Sequence, residues 1–314
     1  MAQLKRLLTG LQPSGALHIG NYFGALKPFA DTYEQYESFL MIADYHALTS
    51  LRDPGELRAN TVEVVRAYVA AGVDPGQAVI FRQSSVPEHT ELAWIFECLV
   101  TVPFLMQAHA YKDKVAKGAE ASAGLFNYPM LMAADILLYD TDVVPVGADQ
   151  KQHVEYAREA AAKFNAAYGQ TFKEPAEKIE EGIAVVPGTN GQKMSKSYKN
   201  TIPLFGTRDE IAKAVMSVVT DSSGERPEHV YAIHKLFKSE TELAPLYEQN
   251  KGNYKVLKEA LIGDIEAVVA PMRAKYDALT ESDVKRILAE GASKACAVAS
   301  KKMAAVRAKI GVSL

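Results

Sequence analysis

With 314 residues, 48% of them hydrophobic and 23% charged, the chain has the length for two domains and a large core, and none of the bias of disordered or low-complexity sequence. No apolar run reaches the roughly 18 residues of a membrane span, and Leu7-Leu8 behind Lys5 and Arg6 is too short for a signal-peptide core; the expected compartment is the cytoplasm, with no membrane partner. The net charge of −3 hides an asymmetry, because from Lys199 onward 18 basic residues stand against 15 acidic, a balance that suits either a polyanionic partner or a solvated helix face.

The stretch 7–26 opens apolar and β-prone, turns at Gln12-Pro13-Ser14-Gly15, and takes up a helical pattern from about Leu17. A first strand running through such a turn into a helix is where open α/β sheets bind nucleotides, since a helix start offers free N–H groups and a positive dipole end to an anion. His18 falls in the first turn of that helix, and Gly20 leaves room for a ring or a phosphate near the backbone. Neither G-x-x-x-x-G-K-[ST] nor G-x-G-x-x-G occurs there.

Residues 38–43 form a continuous apolar run expected to be a buried parallel strand, ending in the polar Asp44-Tyr45-His46. A helix follows Pro54, a short strand covers 78–81, and a helix spans 88–102. Strand and helix in short alternation predict right-handed crossovers and a parallel sheet covered on both faces. Residues 111–124 break the rhythm with Lys112, Lys114 and Lys117, which read as a solvated surface or a phosphate clamp. Pro129 is expected to start a helix that is apolar nearly all round, with Tyr128, Met132 and Asp135 on one face. A carboxylate there costs several kcal/mol unless it is paired, so Asp135 is either an internal ion pair or a ligand acceptor.

Strands at 143–146 and 183–186 flank a helix at 151–168, and Gly147-Ala148-Asp149-Gln150 follows the first of these strands. After the turn 187–191, expected to be flexible, comes Gln192-Lys193-Met194-Ser195-Lys196-Ser197: two lysines and two hydroxyls suited to a movable phosphate clamp. Beyond residue 209 only helices are expected. Cys98 and Cys296 make no CxxC or zinc pattern and are expected to be buried structural thiols in a reducing compartment. No metal-ligand cluster is expected.

Two of these stretches together resemble the class I aminoacyl-tRNA synthetases. His18-Ile19-Gly20-Asn21 is similar to the HIGH signature, and Lys193 to Ser197 matches KMSKS letter for letter. Gln12-Pro13-Ser14-Gly15, the run from Leu131 to Tyr139, and Pro145-Val146-Gly147-Ala148-Asp149-Gln150 narrow the resemblance to the bacterial-type tryptophanyl-tRNA synthetases, over essentially the whole chain. Asn21 replaces the last His of the signature, while Ala148 and Leu8 stand where many relatives carry Glu and an aromatic.

The resemblance implies a Rossmann-like catalytic domain over 1–198, a helical anticodon-binding domain over 199–282, and a C-terminal helix from 283 that packs back on the first domain. It also implies activation of L-tryptophan by ATP with Mg²⁺, transfer to tRNA(Trp), and a homodimer. His18, Lys112, Lys114, Lys193 and Lys196 would serve catalysis. Gln12, Pro13, Ser14, Gly20, Asn21, Gly147, Ala148, Asp149, Ala184, Met194, Ser195 and Ser197 would join the two signature lysines around ATP. Asp135, Tyr128, Met132, Gln150 and His46 would hold tryptophan, with Asp135 accepting the indole N–H, which can only donate. Tyrosyl-tRNA synthetase, another nucleotidyltransferase with a similar turn, and a non-enzymatic tryptophan-sensing paralogue are the alternatives.

Overall fold

The computed structural model describes residues 4–116, 118, 121–146, 151–179, 186–220 and 226–313. β1 (Arg6–Leu11) leads into α1 (Ile19–Asn21), which passes through five π-helical residues into α2 (Lys27–Thr32). Then come β2 (Glu37–Ile42), α3 (Asp44–Ala47), α4 (Pro54–Ala70), β3 (Val79–Arg82), α5 (Glu88–Glu97), α6 (Val102–Leu105), α7 (His109–Ala116) and α8 (Ala123–Leu137). β4 (Val143–Val146), α9 (Lys151–Tyr168) and β5 (Ala176–Ile179) complete the α/β part. Every described element beyond residue 207 is helical: α10 (Arg208–Met216), α11 (Glu228–His234), α12 (Glu240–Gln249), α13 (Tyr254–Ala278) and α14 (Glu281–Ile310). No described helix is long and apolar enough to cross a membrane.

The strands form a parallel sheet in the order β3-β2-β1-β4-β5, with Leu7 beside Ser38 on one side and Val143 on the other. The chain winds outward from β1 to β3 and then returns to start β4. The order therefore reverses between β1 and β4, and a crevice at such a switch point is where α/β sheets take ligands. Alternate residues face opposite layers: Leu7, Leu40, Ile42 and Ile80 pack into one core, and Leu8, Phe39, Met41 and Phe81 into the other. The first core also takes in Ile211, Val215, Leu261 and Ile265, so apolar packing runs unbroken across residue 198.

α14 is a helix that touches both layers. Val284 and Ile287 join the first core, while Ala295, Ala299, Met303 and Val306 join the second. Between them Gly291 lies against edge strand β3, where a Cβ would sit 1.8 Å from the Ile80 carbonyl oxygen. Further on, Arg307 Nε pairs with Glu91 Oε1 at 2.7 Å and Ser300 Oγ donates to Glu88 Oε1 at 2.6 Å, fastening the helix to α5.

Three local expectations are corrected. The helix expected over 88–102 stops at Glu97 and restarts as α6 behind Thr101, because Pro103 favours a fresh first turn over continuation. Pro129 lies inside α8 rather than at its start, since Ser122 caps the helix by accepting from Leu125 N at 3.2 Å. Cys98 is exposed, at the end of α5, and Cys296 is half-buried with its Sγ 3.5 Å from Ser85 O. Among the described residues the last strand is Ala176–Ile179, which the sequence did not indicate; of the strand expected at 183–186, residues 183–185 lie outside the described residues, and the Val186 carbonyl accepts from Met194 N at 2.8 Å.

Candidate active site

Two clusters lie beyond the C-terminal ends of the strands. The first joins the turn after β1 to the lysine-bearing loop. The turn is closed by Ser14 N donating to Gln12 O at 2.9 Å and is tied to α4 by Asn60 Nδ2 on Pro13 O at 3.2 Å. Lys196 Nζ donates to Ser14 O at 2.5 Å, and a Cβ on Gly15 would stand 3.5 Å from that ammonium. Gly15 also has φ +87°, a left-handed backbone that a side chain would strain. Backbone pairing carries the junction further: Ile19 N donates to Ile202 O and Leu204 N to Leu17 O, both at 3.0 Å.

His18 precedes α1 with extended backbone, and its N–H donates to Asn21 Oδ1 at 3.1 Å. Its ring is buried, and burial first, then the Lys196 charge, holds its pKa down to about 4. It is therefore neutral at pH 7, and its Nδ1 is buried with no hydrogen-bond partner. The space that Gly20 leaves open is filled by this ring, for a Cβ would lie 2.8 Å from His18 Nδ1 and 3.4 Å from Met194 Cβ. Met194 is itself buried, so its side chain anchors the loop. The exposed groups are Lys193, Lys196 and Ser197, with Ser195 half-buried.

The loop is pinned rather than free at its glycines. Gly188 N donates to Gln192 O at 2.7 Å, and Pro187 bridges Lys193. At the centre is Asn200, 1% exposed: its Nδ2 donates to Asn190 Oδ1 at 2.7 Å and Lys193 O at 3.1 Å, and its Oδ1 accepts from Ser195 N at 2.8 Å. Gly188 has no room for a side chain, since its Cβ would fall 2.2 Å from Asn200 Nδ2.

The second cluster surrounds Asp135, which is 2% exposed on α8. His46 Nε2 lies 2.8 Å from its Oδ2, His89 Nδ1 lies 2.6 Å from its Oδ1, and Gln83 Nε2 donates to both oxygens at 2.8 and 3.0 Å. Burial by itself would raise this carboxyl's pKa, but the bonds and charges of His46 and His89 outweigh it and hold the value near about 2. Of the two readings open for Asp135, the structure shows the internal pairing. An unpaired carboxylate at this depth is too costly, and the chain supplies its own donors.

Beside this cluster opens a cavity of about 600 Å³, lined by His46, Tyr128, Tyr45, Trp94 and Leu131 among others; Asp135 and Met132 are not on its wall. Tyr128 stands edge-on to His46 with ring centres 6.4 Å apart, and its hydroxyl is 3.3 Å from His153 Nε2.

Lys112 is exposed on α7. Gly147, Ala148, Asp149, Gln150 and Ala184 lie outside the described residues, as does the side chain of Lys114. Sequence reasoning passed over Asn60, Gln83, His89, Tyr139 and Asn200. Only Gln83 carried a usable signal, as the first residue beyond a strand.

Compared with known proteins, residues 3–289 match the family described as tRNA synthetases class I (W and Y). Over 320 residues, covering 98% of this chain and 98% of the relative, the sequence is 46% identical to a tryptophan–tRNA ligase of Fusobacterium nucleatum. Among solved structures, tryptophanyl-tRNA synthetase from Campylobacter jejuni complexed with ADP and tryptophan superposes with a TM-score of 0.91 at 45% identity, covering 98% of this chain and 99% of that one. A tyrosyl-tRNA synthetase from Aeropyrum pernix shares the fold, with a TM-score of 0.67, 21% identity, and 92% and 90% of the two chains covered.

Proposed function

The chain belongs to the class I tRNA synthetases of the tryptophan and tyrosine group, and from that premise we propose that its two clusters divide one reaction between them. The enzyme is an ATP-dependent aminoacyl-tRNA ligase that activates L-tryptophan and transfers it to tRNA(Trp). The observation that carries the division of labour is Lys196 resting on the Ser14 carbonyl, which brings the two ends of the nucleotide-binding part within one hydrogen bond.

In the first step the tryptophan carboxylate attacks the α-phosphorus in line and pyrophosphate leaves. That carboxylate is already ionised at neutral pH, so no general base is needed. The work is positioning and charge stabilisation. Lys193 and Lys196, with Lys112 and Lys114, meet the charge growing on the pyrophosphate. His18, being neutral, acts as a hydrogen-bond partner for phosphate. Gln12, Pro13, Ser14, Gly20, Asn21, Gly147, Ala148, Asp149, Ala184, Met194, Ser195 and Ser197 surround the nucleotide. Mg²⁺ would accompany ATP and offset phosphate charge; among the described residues no group of three His, Cys, Asp or Glu stands together to hold it.

Asp135 accepts the indole N–H, with Met132 on the ring and Tyr128, Gln150 and His46 around the amino acid. A site built to pair a donor rejects side chains that lack one, because its carboxylate would be left short of a partner. Residues 199–282 read the anticodon, supported by their wholly helical described structure and the basic balance beyond Lys199. A second copy of the chain covers the apolar surface at the cavity, where Leu48 and Trp94 are exposed. A translation enzyme of this kind works in the cytoplasm.

Exchange of labelled pyrophosphate into ATP tests the reading. Exchange is expected with tryptophan and not with tyrosine; the reverse pattern overturns it.

A further inference from the structure

The partners of Asp135 are of two kinds. His89 and Gln83 are fully buried, and each is held by another contact: His89 Nε2 is 2.7 Å from the Tyr139 hydroxyl, and Gln83 Oε1 lies 3.4 Å from His46 N. The His89 ring is also stacked on Phe81 with centroids 6.1 Å apart. His46 differs from both. It sits on a four-residue helix and forms part of the cavity wall.

We propose that Tyr139, His89 and Gln83 are positioning residues for tryptophan selection, holding the Asp135 carboxylate from behind while the indole N–H takes the lone pair now given to His46 Nε2. The inference rests on the reading of Asp135 as the indole acceptor and extends it to residues that no substrate touches.

The proton arrangement follows from donor and acceptor types. A carboxylate only accepts, so the 2.6 Å contact places a proton on His89 Nδ1. The Tyr139 hydroxyl, 2.7 Å from His89 Nε2, holds the opposite side of the ring. Burial pushes the Tyr139 phenol pKa upward, so it keeps its proton to give. Asp135 sets the proton on His89 Nδ1, the Tyr139 hydroxyl holds the far side of the ring, and the ring so held fixes the carboxylate. Without the hydroxyl, the ring loses its second anchor and the carboxylate loses part of its fixed aim.

The test measures pyrophosphate exchange with tryptophan and with β-(3-benzothienyl)alanine, in which sulfur replaces the indole N–H. Wild type, Tyr139→Phe and Gln83→Met are compared, with melting curves to show that each variant is folded. Loss of one buried hydrogen bond is worth about tenfold, so Tyr139→Phe is expected to raise KM for tryptophan by about tenfold while kcat and KM for ATP stay within about twofold. KM for the sulfur analogue is expected to stay put, so the preference for tryptophan falls by about the same factor. Gln83→Met is expected to act in the same direction and stands as a second route should Tyr139→Phe fail to fold. Equal losses with both amino acids, or an unmoved KM for tryptophan, would show that these residues only pack and would overturn the proposal. A wild-type enzyme that does not prefer tryptophan to the analogue removes the Asp135 reading itself, and the proposal with it.

Discussion

Replacing Asn200 by alanine removes three hydrogen bonds from the lysine loop: those to Asn190 Oδ1 and Lys193 O, and the one accepted from Ser195 N. At about 1 kcal/mol apiece for bonds of this kind, the loop loses about 3 kcal/mol of what holds Lys193 and Lys196 beside the first turn. Water recovers part of this, because Lys193 is exposed and Ser195 half-buried. The rest falls on loop geometry, since the partners of the Asn200 side chain, Asn190, Lys193 and Ser195, all belong to the loop. With about 1.4 kcal/mol per tenfold, adenylation is expected to slow by a factor of about 10 to 100. The assay is pyrophosphate exchange with ATP varied at saturating tryptophan, beside equilibrium dialysis of tryptophan. An unchanged kcat/KM for ATP, or a parallel loss of tryptophan affinity, would refute the argument.

Lys196→Ala is expected to lower the exchange rate by about 10² or more with tryptophan binding little changed; equal loss of both would make the loop merely structural. Gly291→Ala puts a methyl group into the Ile80 carbonyl, so the backbone of α14 or β3 must move; urea unfolding is expected to show a loss of about 2–4 kcal/mol. His18 titrates near about 4 when folded against 6.5 ordinarily, so the unfolded chain binds this proton first as pH falls. Its contribution, about 3 kcal/mol at most, is present above pH 6.5 and is lost as pH falls towards 4. Unfolding midpoints at pH 7.5 and 5 should differ less for His18→Gln than for wild type, and equal differences would contradict the assignment.

Elements whose side chains repeat with a clear period were legible in the sequence. β4 and α9 fall at the residues expected, and the alternation of strands and helices led directly to a parallel sheet. Pro129 misled because a proline has the same sequence signal at the first turn of a helix as inside it, and only the Ser122 cap decides. The site was legible where chemistry is unusual for its surroundings, as with an acid in an apolar run or two lysines beside glycines. It was illegible where ordinary residues act through partners distant in sequence. Gln83, His89 and Asn200 look unremarkable until folding brings them to Asp135 and the loop. Cys98 shows the converse: an apolar neighbourhood in sequence did not make it buried, because the helix carrying it ends there.

The place of α14 bears on how the enzyme is made. β3 is at the margin of the sheet, and its strand end carries Gln83 towards the acid that chooses the amino acid. The covering for that margin is encoded some 200 residues later. During synthesis the growing polypeptide therefore leaves the ribosome with β3 bare until residues 281–310 emerge, and a product cut short before them lacks the brace behind its specificity pocket.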